Sequence, residues 1–440
     1  MGSKDPRFVT RRHAAHDAAG GLLVYPLALL LGLCAAGPAQ AQLIDLYFPA
    51  GLPGYGTQPG VTVQSRARLA YEPLGVRLGG VVVRPTISTG LGYTSNALGQ
   101  PRGRGSVLAQ TSASILAGSD WGRHAVGGYL SFDDQRFLSA TAQSATAWTA
   151  ALGGTAEIGR GALALGAAHL NLYQTARALD GLAIDRPGRF QVDNARASYT
   201  WRSGRLSLAP GLAVSATRFD DVFVRGQRAV QRYRDRTAIE GNVTARWELA
   251  PRRDLVLDLR AVGFDHARRE PGRPSRDATT VALLGGIDYA TDAVWRVRAL
   301  AGVQHRAFAD PTLRPVTGPM TELSAIWAPS GLTTLTATLS RRIEDAAELT
   351  ALSYTFTGLR VGVDHELHRN LVLAGYGEVQ QAEYQQRSGR DRTAGFGLGA
   401  TWLVNRRMRV SANWDWSTRW RSDGAMVDEG VALLRLRFAM

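Results

Sequence analysis

Of 440 residues one is cysteine and one is lysine. Cys34 lies inside the apolar run Leu22–Ala36, so no disulfide framework can form, and Leu33 stands where a lipoprotein signal needs a small residue. Outside that region no stretch reaches the roughly 18 consecutive apolar residues of a membrane-spanning helix. Histidine is also sparse. The residues beyond position 41 hold His124, His169, His266, His305, His365 and His368, and the densest grouping is His365-Glu366-Leu367-His368. In a strand that spacing sends the two imidazoles to opposite faces, and no third ligand is near, so neither a metal nor a cofactor is expected. With only Lys4 as lysine, the formal charge of +14 is carried by arginine. Residues 1–41 hold four basic and two acidic side chains, which leaves +12 for the rest. The arginines are scattered through polar connectors and alternate strand positions instead of forming a patch, which argues against nucleic acid as a partner.

The beginning of the chain reads as an export signal. Arg7, Arg11 and Arg12 precede the apolar run, which Tyr25 and Pro26 interrupt and Ala39-Gln40-Ala41 follows, so residues 1–41 are expected to be a signal peptide cut before Gln42. Residues 42–80 repeat Pro and Gly with weak alternation, as in Phe48-Pro49-Ala50-Gly51-Leu52-Pro53-Gly54. They are expected to be a periplasmic lead-in or a segment that enters a lumen.

From Val81 onward the chain alternates in and out with period two. In Arg236–Ala250, Ile239, Val243, Trp247 and Leu249 share one face while Glu240, Asn242, Thr244, Arg246 and Glu248 share the other. One face suits lipid and the other water. A bilayer leaves no solvent for unpaired backbone groups, so such strands must close on themselves. Eighteen strands are expected in residues 81–440, among them 123–133, 319–328 and 393–404, forming an all-β transmembrane antiparallel barrel. Short connectors such as Ser203-Gly204 and Asn405–Arg407 are expected as periplasmic turns, and long arginine-rich connectors as extracellular loops. The expected location is the outer membrane of a Gram-negative bacterium, with lipid and lipopolysaccharide as surroundings.

Aromatics support this orientation. Trp201, Trp247, Trp295, Trp327 and Trp402 each lie within a few residues of a short turn, as a periplasmic girdle would require. The last strand runs from Gly430 through Leu436 to Phe438 with spaced apolar residues, resembling the signal read by the barrel assembly machinery. Ala439 and Met440 extend beyond it. A soluble propeller or sandwich is the competing fold, but connector lengths alternate strictly and no blade signature repeats.

Two stretches carry a family resemblance. Tyr71-Glu-Pro73-Leu74-Gly75-Val-Arg77-Leu-Gly79 with Arg84-Pro85 and Gly90-Leu-Gly92-Tyr93-Thr-Ser-Asn96, and later Val361-Gly-Val-Asp364-His-Glu366-Leu367 with Arg369-Asn370-Leu371, resemble the putative β-barrel porin type 2 family. The resemblance implies an outer-membrane barrel, with a link to exopolysaccharide production in some members, and it brings no catalytic residues.

Nothing in the residues marks an enzyme. Gly395-Phe-Gly397-Leu-Gly399 lacks the lysine and helix of a phosphate loop, and its glycines share one strand face. The lumen is therefore where function is sought. Glu240, Arg246, Glu248, Asp258, Arg260, Arg296, Arg298 and Arg306 are expected to line it. Barrels of 16 to 18 strands leave an aqueous channel, and arginine excess favours anionic or hydroxyl-rich solutes. The expected function is a porin-like channel for hydrophilic solutes, with exopolysaccharide export as one use. A non-conducting barrel that anchors an envelope export or assembly complex is the alternative, and a barrel enzyme is a third.

Overall fold

The computed structural model describes residues 51–55, 60–269, 272–290, 294–348 and 351–440. The expected signal peptide lies outside the described residues. Eighteen long strands follow in order: β1 Val81–Thr94, β2 Ser106–Ser119, β3 His124–Phe137, β4 Ala145–Ile158, β5 Gly161–Gln174, β6 Gly188–Ser203, β7 Leu206–Phe219, β8 Arg236–Ala250, β9 Arg253–His266, β10 Ala278–Ala290, β11 Trp295–Phe308, β12 Val316–Ser330, β13 Thr333–Asp345, β14 Ser353–His368, β15 Leu371–Tyr384, β16 Arg390–Leu403, β17 Met408–Trp420 and β18 Met426–Ala439. Each pairs antiparallel with the next, and β18 pairs with β1 from Thr86↔Ala439 to Thr94↔Val431. The sheet is thus closed and has no free edge.

Side-chain parity follows the expected alternation. On β8 Ile239 is 55% exposed on the outer face, and on β9 Leu257 is 54% exposed. Their sequence neighbours Glu240 and Asp258 point inward. The five tryptophans named above keep outward parity beside short turns, and Trp295 stacks on Trp327 with ring centroids 5.1 Å apart. Phe438 and Leu436 also face outward on the closing strand, while the Gly430 N–H donates to Ser95 Oγ at 2.8 Å.

Several strands run further toward the long loops than polarity suggests. β3 continues to Phe137, β12 begins at Val316 and β16 begins at Arg390. On the outer face of β3 the charged pair Asp134 and Arg136 marks where lipid-facing residues end, whereas backbone pairing persists to Phe137. Register shifts fall beside the short turns, between Glu248 and Ala250, Trp327 and Ser330, and Glu366 and His368. Two minor pairings decorate the barrel: Val76–Leu78 on the start of β1, and a small hairpin of Val222–Val224 with Gln227–Ala229 in the long loop after β7.

Candidate functional site: the lumen and the segments that cross it

All eight acidic and basic residues expected to line the lumen lie on the inner face, because β8 to β11 stay in register along them: Asn242 opposes Arg260, Thr244 opposes Asp258, and Asp288 opposes Arg298. Their surroundings differ. Arg260 reaches Asp258 at 2.7 Å and forks onto both oxygens of Glu322 on β12 at 2.5 and 3.1 Å. Asp288 accepts from Arg246 at 2.8 Å and sits 3.5 Å from Arg298. Arg306 is 1% exposed, bonded to Asp345 and packed over the rings of Phe264 and Phe308. It is a covered structural cation and not a free charge in the passage. Arg296 remains exposed at the short-turn end, and Glu248 lies near it in height.

The sequence reading missed several inward groups on the later strands. Arg360 on β14 lies 3.6 Å over the ring of Tyr376 and bonds Glu378 at 2.7 Å, while the Tyr376 hydroxyl donates to Asp415 on β17 at 2.7 Å. Gly397 makes room for this arrangement: a Cβ there would lie 2.3 Å from both Asp415 Oδ1 and Tyr376 Cε1. The three glycines of Gly395–Gly399 form part of the inner wall. The alternation used for β8 identifies Arg360, Glu378 and Asp415 equally well once it is extended to β14–β17.

The inner wall of β2–β6 breaks the apolar-out, polar-in rule. Leu116, Tyr129, Leu170, Leu172 and Val192 point inward and are buried, although the opposite face of the same strands is also apolar. They are covered by the chain itself. Leu52 and Tyr55 pack into this cluster, and the backbone of Pro53 and Gly54 lies so close to β4 and β5 that a Cβ on Gly153 would be 1.9 Å from the Pro53 carbonyl oxygen. The Arg196 guanidinium stacks on Tyr55 at 4.9 Å. The segment then reaches the far wall, where Gly60 abuts Ile326 and Arg296. Thr334 Oγ1 accepts from the Val63 N–H at 3.0 Å, and Glu366 takes Arg68 at 2.8 Å together with Arg66. Glu366, which lies between the two imidazoles of the His365–His368 grouping, is thus an anchor for this strap, and His365 bonds Thr333 at 3.0 Å. No group of three or more metal-binding side chains occurs among the described residues.

A second segment crosses the lumen at the long-loop end. Residues 175–187, joining β5 to β6, reach the opposite wall. Arg419 of β17 donates to the carbonyl oxygens of Ala176 and Leu179 at 2.6 and 2.8 Å, and pairs with Asp391 at 2.9 Å. Arg177 pairs with Glu429 at 2.6 Å and donates to the Ala97 carbonyl at 2.7 Å. Leu179 is buried among Tyr354, Phe356, Ala382 and Tyr384. Beside it Asp180 accepts from the Tyr384 hydroxyl at 2.7 Å and from the Ala347 N–H. Burial pushes the Asp180 carboxyl up to about 6, against the pull of these two donors and of Arg234. A cavity of about 370 Å³ lies along the inner wall from β6 to β13.

A closed 18-stranded antiparallel barrel with an apolar exterior and a polar, charged interior is a porin-like barrel. Residues 69–434 match the family described as putative beta-barrel porin 2, and the chain belongs to that family. No curated protein matches the sequence. Among solved structures the chain is similar to the FrpB iron transporter of Neisseria meningitidis, with 10% identity and a TM-score of 0.44 over 77% of this chain. It spans 63% of that transporter's length. It is also similar to the outer membrane protein opdK of Pseudomonas aeruginosa, with 13% identity and a TM-score of 0.42 over 81% of this chain and 99% of that one. For Pseudomonas aeruginosa OccK2 (OpdF), solved in complex with glucuronate, the figures are 13%, 0.46, 82% and 98%. The likeness is confined to the barrel fold.

Proposed function

We propose that this protein is a channel for small hydrophilic solutes in the bacterial outer membrane. The observation that carries the reading is the cavity of about 370 Å³ held inside a closed barrel and lined by Arg196, Glu240, Asn242, Arg260 and Glu322. A wall with no edge and an apolar exterior suits lipid, and a polar interior of this width suits water and solutes. In this reading the short turns face the periplasm, the tryptophans beside them lie at the membrane boundary, and lipopolysaccharide surrounds the arginine-rich loops. The outward row ending at Phe438 is what the barrel assembly machinery would engage.

The strap and the crossing loop favour a second reading, in which the barrel is held shut and serves as an anchor for an envelope export complex, exopolysaccharide export included. Planar-bilayer recordings separate the two. A channel gives discrete current steps, at the least once residues 51–75 are deleted. Silence from both the full chain and the deletion variant overturns the channel reading.

A further inference from the structure

Building on the channel reading, we propose that the cavity along β6–β13 is a binding subsite for a neutral polyhydroxylated solute the size of one or two sugar rings. Its volume of about 370 Å³ falls within the ~300–1,000 Å³ common for small-ligand sites.

Three of the four arginines around it argue against the simpler expectation of an anion site, the fourth, Arg196, being stacked on Tyr55. Arg260 is held by Asp258 and Glu322, Arg306 by Asp345, and Arg342 by Glu344. An incoming carboxylate would have to displace a carboxylate already bonded to its guanidinium, and an incoming cation would have to displace the guanidinium. Neither exchange offers a net gain. A neutral hydroxyl can instead join a paired charge from the side without breaking it.

Two buried groups supply what such a hydroxyl needs. Asn194 is 7% exposed and Thr280 6%, both line the cavity, and neither Asn194 Oδ1 nor Thr280 Oγ1 has a hydrogen-bond partner among the described residues. An unpaired buried polar atom costs ~1–3 kcal/mol, so a ligand that pairs both is favoured by groups already desolvated. Each oxygen accepts a hydroxyl proton, and Asn242 presents a further amide between them. Meanwhile β7 contributes Ala209 and Ala213, small apolar side chains on either side of Gly211, over which the Asn242 amide lies, and against these the C–H face of a sugar ring fits.

The test is titration calorimetry on the full-length protein in detergent, with maltose and glucuronate as probes, beside bilayer recordings of the same samples. The subsite binds maltose more tightly than glucuronate. Thr280→Val, which keeps shape and removes the hydroxyl, weakens maltose at least several-fold, and Ala213→Trp abolishes binding by filling that side of the cavity. Circular dichroism and heat-dependent gel mobility establish that both variants remain folded barrels, and Thr280→Val decides the case if Ala213→Trp does not fold. No maltose heat in the wild type, tighter glucuronate binding, or unchanged maltose affinity in Thr280→Val overturns the subsite. Current without maltose binding removes the subsite and leaves the channel standing. Maltose binding without current does the reverse.

Discussion

At the scale of single residues, much of the lumen's charge is paired, and in the proposed channel this pairing would set what an ion meets. Arg260 is held by two carboxylates and Asp288 holds two guanidiniums. Removing one member therefore exposes the other. Glu322→Gln releases part of the Arg260 charge, and Asp288→Asn leaves Arg246 and Arg298 without their carboxylate. Both variants are expected to move the reversal potential in a salt gradient toward anion selectivity, and Arg296→Ala is expected to move it toward cations. Arg306→Ala gives a different outcome. Its guanidinium is buried against Asp345, which Arg236 also holds, so removal breaks one arm of a buried charge cluster and empties its place over Phe264 and Phe308, a change that costs about 3 kcal/mol. Loss of thermal stability without a selectivity change is the expected result. Period two alone made the inward direction of all eight residues legible. Which of them are covered was not legible, because much of the cover comes from Phe264 and Asp345 on other strands.

At the scale of elements, the strap and the loop after β5 are each held by buried apolar side chains together with arginine–carboxylate pairs. The strap is seated by Leu52 and Tyr55 in an apolar inner wall and by Arg66 and Arg68 on Glu366. Truncating a buried leucine costs ~2–5 kcal/mol, so Leu52→Ala combined with Tyr55→Ala should unseat it and raise single-channel conductance. Unchanged conductance would mean that the strap does not obstruct the path. The sequence shows β5 as Gly161–Gln174 with apolar residues on both faces, a pattern that alternation cannot explain. The reason is a covering segment more than a hundred residues away from Leu170 in the chain.

The crossing loop carries a buried carboxyl, and its titration has a definite sign. Asp180 is faced by the Tyr384 hydroxyl and the Ala347 N–H, with Arg234 favouring the charged form and Glu348 opposing it. Glu348 is itself 3.2 Å from Arg387. Burial raises the carboxyl from the ordinary value of about 4 to about 6. The docked loop therefore has its full stability below about pH 4 and loses stability as pH rises through about 6, by up to ~3 kcal/mol. Conductance should be lower at pH 4.5 than at pH 7.5. Asp180→Asn, neutral at every pH and able to accept from Ala347, should keep the low-conductance state at pH 7.5. A variant with unaltered pH dependence would show that another group controls the loop.

At the scale of the whole molecule, the strand number and closure were open to reading because the same two-residue period and alternating connector lengths persist from Val81 to Phe438. Strand ends were not, since pairing continues past the water level at Phe137 and Arg390. Closure depends on the β18–β1 seam, where nine residue pairs join the chain's ends. Phe438 faces outward there, so Phe438→Ala should reduce the yield of membrane-inserted barrel in cells while leaving refolding in detergent intact; equal yield in cells would remove its assembly role. The arrangement as a whole is tested most directly by thiol accessibility, since residues beyond 41 contain no cysteine. Single cysteines at Asn242 and Thr244 should react with a water-soluble maleimide in isolated outer membranes, whereas cysteines at Val243 and Leu257 should resist it and react with a lipid-soluble reagent. Uniform labelling, or the opposite pattern, would contradict a barrel with lipid outside and water within.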